Sequence, residues 1–300
     1  MNKRYPAVAA ATIASFIYGI NHTIAKDIMP AHILPFGFIL LRVLGASVLF
    51  WVASIFVKNE KIDRKDWPRF LACAVFGMAI NMLAFFKGLQ LSTPINSSVV
   101  ITTSPVMLLL LSAVFLKEKI GWVKIVGILM GLVGTLVLIL FGESQQENAP
   151  SIQLGNLLFV VNASSYAVYL ILVKPLTKKY STVTLMKWLF LIGVVINLPF
   201  TIGEFAAVQW SSLSTPVMAT MAFVVVGTTF MTYLLNIYAL KSLKASTIGA
   251  FIYLQPLIAV LFAVITGADR LTLIRIIAAI FIFAGVYLST RKPKKKQLTG

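Results

Sequence analysis

The chain holds one cysteine, two histidines and nine acidic residues in 300, and it has no polar run long enough to fold as a soluble domain. Each scarcity excludes something. Cys73, alone within an apolar run, can form neither an intrachain disulfide nor a cysteine metal site. No G-x-x-x-x-G-K-[ST] phosphate loop occurs, so nothing in this chain drives a pump with nucleotide. There is no H-E-x-x-H, and His32 lies near a loop, so no metal or cofactor is called for. Short alternating strands of the barrel type are missing too, and lipid tolerates no unpaired backbone, so helices are the spanning element.

What is present is apolar. Hydrophobic residues make up 59% of the chain and the mean hydropathy is +0.92, where roughly half apolar is the soluble norm. A membrane-crossing helix needs roughly 20 such residues. Ten stretches qualify: 7–29, 34–57, 68–90, 94–116, 121–141, 153–174, 182–203, 216–240, 245–267 and 271–290. The first follows Lys3-Arg4 like a signal peptide, but further spans follow, so it reads as a retained helix. The net charge of +17 does not point to nucleic acid, because the charges lie between apolar spans. With a cytoplasmic N-terminus, 21 of the 26 basic residues fall inside, including the run Arg291–Lys296, which suits an anionic lipid surface. Both termini are then cytoplasmic. The expected fold is all-α and integral to the membrane, with membrane lipid as an obligatory partner.

The sequence also repeats itself. "TPINSSVVITTSPVMLLLLSAVFLKEK" (93–119) and "KASTIGAFIYLQPLIAVLFAVITGADR" (244–270) align at an offset of 151. Pro105 then meets Pro256, Glu118-Lys119 meets Asp269-Arg270, Lys124 meets Arg275 and Gly134 meets Gly285. Tyr18-Gly19 with Lys26 matches Tyr166-Ala167 with Lys174 at an offset of 148, and Arg42 corresponds more weakly to Lys187. The expected organisation is a first repeat at 1–142, an external linker at 143–152 and a second repeat at 153–300. Five spans per repeat is an odd number, so the second copy enters from the opposite side, an arrangement typical of secondary transporters. Pro105 and Pro256 each remove a backbone hydrogen bond, and both are expected to act as hinges.

These same residues resemble the EamA-type repeat of the drug/metabolite transporter superfamily. The resemblance rests on Pro105, Glu118, Lys124 and Gly134 with their second copy at Pro256, Asp269, Arg275 and Gly285. "YGINHTIAK" at Tyr18–Lys26, the "LLR" ending at Arg42 and "YALKSL" at Tyr238–Leu243 add to it. It covers the whole chain. It implies ten helices with a cavity formed mostly by helices one, three, four, six, eight and nine, with five and ten peripheral. Its members include exporters of amino acids and other metabolites in bacterial inner membranes. Two departures stand out: Lys87 in "FKGL" and Asp269 in place of the usual Glu.

Polar groups within spans carry the candidate site. Helix one offers Tyr18, Asn21 and His22; helix three, Asn81 and Phe85; helix four, Ser98 and Thr102. Helix six adds Asn162, Tyr166 and Tyr169; helix eight, Thr229, Tyr233 and Asn236; helix nine, Tyr253 and Gln255. Each of them lines a cavity or joins helices by hydrogen bonds. Arg42 either anchors to helix-end carbonyls or faces a wet cavity as a carboxylate ligand. Lys26 is expected to snorkel outward beside Asp27, and Gly127, Gly131 and Gly134 to pack closely against a neighbour within the chain or in another subunit. No carboxylate lies mid-span, which removes the usual proton relay and leaves facilitated diffusion, exchange or coupling through His22.

The leading reading is therefore a non-enzymatic carrier exporting amino acids or related amphipathic metabolites by alternating access. Anionic metabolites are the alternative cargo. An intramembrane enzyme lacks its constellation, and a passive channel does not explain the duplication. A small molecule is the expected partner, not nucleic acid; monomer and homodimer both remain open.

Overall fold

The computed structural model describes residues 4–58, 60–116, 121–141, 148–243, 251 and 254–290. The Glu118-Lys119 doublet, residues 143–147 of the linker, Tyr253 and the basic run Arg291–Lys296 lie outside the described residues. Everything described is helix, turn or short connection. In order these are α1 (Arg4–Ile28), α2 (Pro35–Ser54), α3 (Trp67–Ala74), α4 (Asn81–Leu91), α5 (Pro94–Ile101), α6 (Ser104–Leu116) and α7 (Trp122–Phe141). Then come α8 (Ile152–Lys179), α9 (Thr182–Ala206), α10 (Thr215–Phe223), α11 (Thr232–Ser242), α12 (Leu254–Ile265) and α13 (Leu273–Thr290). Among the described residues, seven helical segments are long and apolar enough to cross a membrane, and shorter apolar stretches run through α7 and α13. Their outward faces are apolar, as lipid requires: Leu129, Val133, Leu136 and Leu140 on α7, and Ile276 and Ile280 on α13, are exposed.

Nearly every major packing partnership joins the first half of the chain to the second. α2 lies on α9, α4 on α8, α1 on α11 and α12, and α7 on α13. The last pairing settles the small-residue face. A Cβ on Gly285 would sit 2.4 Å from the Gly131 nitrogen and 2.5 Å from the Gly127 carbonyl oxygen, and one on Gly134 would sit 2.8 Å from the Ala278 carbonyl. The glycines of α7 thus pack within the chain, backbone on backbone.

Two irregularities recur at matching places. A π-helical stretch, Val75–Ile80, joins α3 to α4, and another, Val224–Met231, joins α10 to α11. Such stretches leave carbonyls off the regular ladder. Side chains answer them: Ser165 Oγ donates to Phe76 O at 2.6 Å, Asn197 Nδ2 to Met78 O at 3.3 Å, and Tyr233 OH to Gly77 O at 3.4 Å.

Around Pro105 the rod is interrupted, with Thr102 and Thr103 forming a turn between α5 and α6. Proline lacks the N–H that would reach Ile101 O. Ser104 Oγ donates to that carbonyl instead, at 2.7 Å, while Thr102 and Thr103 serve Val99 O and Val100 O at 2.5 and 2.7 Å. Pro256 sits in the first turn of α12, and the residues just before that helix fall outside the described set.

Candidate functional site

A cavity of about 90 Å³ lies where the halves meet. α1 contributes Tyr18, Asn21 and His22, α2 contributes Arg42, and α4 contributes Asn81, Met82, Phe85 and Phe86. Ile101 and Ser104 flank the Pro105 turn, Asn162 and Tyr166 come from α8, Tyr233 from α11, and Gln255 from α12. Neither α7 nor α13 supplies a lining residue. A second void of about 10 Å³ lies behind Tyr18, Tyr166 and Tyr233, against Tyr169, Asn236 and Leu240. The three tyrosines border both spaces and so form the partition between them.

Local chemistry explains how these groups are held. The Asn81 and Asn162 amides cross: Asn162 Nδ2 donates to Asn81 O at 2.8 Å, and Asn81 Nδ2 to Asn162 O at 3.2 Å. They line the cavity and also clamp α4 to α8. His22 Nδ1 lies 2.6 Å from Ser97 Oγ, and Ser97 Oγ lies 2.9 Å from Pro94 O. The Ser97 proton goes to that carbonyl, so Nδ1–H donates to Ser97 and Nε2 is the bare nitrogen of the neutral ring. Phe85 meets the His22 ring edge-on at 5.6 Å.

Arg42 is 4% exposed. Its Nε donates to Thr229 Oγ1 at 2.7 Å, its Nη2 reaches Thr228 O at 3.4 Å, and the guanidinium carbon stands 4.7 Å above the centre of the Phe86 ring. The π-helical stretch positions both threonines, so this irregularity is what brings acceptors to the arginine. No carboxylate pairs with Arg42 among the described residues; the ion pairs described there are Arg275–Asp269 at 2.7 Å and Lys179–Asp66 at 2.9 Å.

The cavity is bracketed by charged caps. Lys26 Nζ donates to Leu89 O, Gln90 O and Ser92 O at 2.7, 3.0 and 2.8 Å. It closes the C-terminal end of α4 and does not snorkel beside Asp27, because three orphan carbonyls offer more than one exposed acid. Lys174 does the same for α11, donating to Leu240 O and, at 3.0 Å, to Leu243 O. The Asp269-Arg270 turn also reaches further than a simple loop. Asp269 accepts the Ile95 N–H at the start of α5 at 3.2 Å, while Arg275 donates to Asn96 Oδ1 at 2.9 Å and to Thr93 Oγ1 at 3.3 Å.

Ten of the sixteen expected lining residues therefore border the cavity. Tyr169 and Asn236 border only the smaller void. Three stand elsewhere: Ser98 and Thr102 turn their hydroxyls onto Ile95 O and Val99 O, and Thr229 lies behind Arg42 as its acceptor. Short hydroxyl side chains on helices satisfy their own backbone first. Met82, Phe86, Ile101 and Ser104 line the cavity outside the sixteen. Met82 carries no polar signal, although it shares a helical face with Phe85 and Phe86.

Comparison with known proteins decides the family. The model of the EamA-like transporter family matches residues 6–140 and again 153–291. The chain belongs to the EamA-like transporter family. Similar chains include an uncharacterized transporter of Archaeoglobus fulgidus, 28% identical over 86% of this chain and 89% of that protein. The uncharacterized transporter YetK of Bacillus subtilis is 24% identical over 85% of this chain and 78% of its own length. A solved crystal structure superposes with a TM-score of 0.68 at 19% identity, covering 95% of this chain and 97% of that one, which speaks to fold alone. The protein is thus a multi-pass membrane transporter of this family.

Proposed function

We propose that this EamA-like chain is a secondary transporter that exports small amino acids or related amphipathic metabolites by alternating access. In this reading the chain crosses the bacterial inner membrane ten times. Residues 1–142 and 153–300 form two inverted five-helix repeats, 143–152 links them outside, and both termini are cytoplasmic. The observation that carries it is a polar, aromatic-walled cavity built from both halves, bordered by Tyr18, Tyr166 and Tyr233 on one side and by His22 and Phe85 elsewhere. A void of about 90 Å³ is well below the roughly 300 Å³ of drug-sized sites. Small cargo follows. A cationic drug also has no carboxylate to meet among the lining residues.

Pro105 and Pro256 serve as the bending points of the two repeats in this scheme, with the Thr102–Thr103 turn as the place where α5 moves against α6. His22 is the one imidazole among the lining residues, the side-chain type that most readily exchanges a proton. The expected modes are exchange or facilitated diffusion, with His22 as the single route to proton coupling. Counterflow in proteoliposomes tests the function: saturable exchange of labelled against unlabelled small amino acids is expected, and non-saturable flux would make it a channel. Uphill uptake driven by an imposed pH gradient and lost in His22→Ala would establish proton coupling. Anionic metabolites are the second reading, favoured by Arg42 standing at the cavity without an acidic partner.

A further inference from the structure

Arg42 presents an unusual account of its donors. A guanidinium has five N–H groups on a planar fork. Nε and Nη2 share one edge, and that edge is spent on Thr229 and Thr228. Phe86 covers one face. The outer edge, with one N–H from Nη1 and one from Nη2, has no acceptor among the described residues, yet the residue is 4% exposed and lines the cavity. A buried cation left without a counter-charge is destabilising. The matching partner for such an edge is a carboxylate, which takes two parallel N–H bonds at once.

A second orphan lies on α1, in another residue that lines the cavity. Asn21 is 2% exposed, and its Oδ1 is buried without a hydrogen-bond partner among the described residues. It is an acceptor only, and so asks for a donor. Tyr18, Phe85, Tyr166 and Tyr233 line the same cavity with ring surface, which favours an ammonium over bulk apolar cargo.

Resting on the transporter reading above, we propose that Arg42 and Asn21 form a split site for a zwitterion: the outer edge of Arg42 takes the carboxylate and the Asn21 amide oxygen takes the ammonium. Thr229 and Thr228 are positioning groups that turn this edge toward the cavity. The site needs both charges on one small molecule, since either half alone leaves one orphan unmet.

The test uses purified wild-type protein and calorimetric binding of alanine, serine and valine, each beside its methyl ester and the corresponding acid without the amino group. The ester is expected to bind at least about tenfold more weakly and the deaminated acid several-fold more weakly, as lost charge-assisted bonds imply. Arg42→Gln, checked for a monodisperse elution profile, is expected to bind amino acid and ester equally; Asn21→Leu is expected to equalise amino acid and deaminated acid. Should Arg42→Gln fail to fold, the wild-type series still decides. Ester binding as tightly as the amino acid, with counterflow of amino acids intact, overturns the role of Arg42 and leaves the transport reading standing. A deaminated acid binding equally well overturns the role of Asn21. No binding and no counterflow for any compound removes the transport reading and this site with it.

Discussion

Lys26 and Lys174 occupy matching places in the two halves and do the same thing, whereas Arg42 and Lys187 occupy loosely matching places and do different things. Each of the first pair crosses to the C-terminal end of a helix two spans further on and gathers its carbonyls. Of the second pair, Arg42 opens onto the cavity, while Lys187, 6% exposed, lies 4.9 Å from the Trp51 ring centre and borders no cavity described here. For the two lysines duplication kept the job, and that job is scaffolding. Where the copies diverged, one cation borders the cavity beside Phe86 and the other lies against Trp51 away from it. Symmetry does not by itself separate architecture from site, since the matched Tyr18 and Tyr166 both line the cavity.

The largest way to break this comparison is to remove the lysine caps. Lys26→Met strips three carbonyls of their partner and Lys174→Met strips two. With unsatisfied buried groups costing about 1–3 kcal/mol each, thermal unfolding in detergent should drop by roughly 5–10 °C, more for Lys26. A silent Lys26→Met alongside a damaging Lys174→Met would show that the two caps are not equivalent.

Close packing comes next. Gly285→Ala drives a methyl into the backbone of α7 and should cost about 1–3 kcal/mol, whereas Gly203→Ala, with nothing within 4 Å, should leave the melting curve in place. Equal curves for the two variants would refute the intrachain seat of the glycine face.

The smallest effect sharpens the site itself. A double-mutant cycle on Asn81→Ala and Asn162→Ala should return a coupling of about 0.6 kcal/mol, typical of interhelical hydrogen bonds in membranes. Zero coupling would leave these amides as cavity lining alone.

Much of this was legible in the sequence. Hydropathy gave the all-helical membrane class, because lipid favours long apolar helices, and the duplicated Pro105 and Pro256 segments pointed to the family. The break before Pro105 was readable as well, since a missing N–H and three consecutive hydroxyls form a self-contained local argument. Orientation was not. Ser98 and Thr102 are as polar in sequence as Asn21, but their hydroxyls fold back on their own backbone, which polarity alone does not reveal. The π-helical stretches carry no obvious sequence mark, so the rotation that sets Thr229 behind Arg42 could not be read. Lys26 was misjudged because its three carbonyl partners lie 63 to 66 residues away.

The central claim is that one cavity between the halves serves both sides of the membrane, and the chain's single cysteine makes it directly measurable. In a Cys73→Ala background, Met82→Cys places a thiol on the cavity wall. In proteoliposomes of defined orientation, a membrane-impermeant maleimide should modify that thiol from either face, and saturating substrate should slow both reactions. Modification from one face only, or at a rate substrate leaves unchanged, would contradict the account.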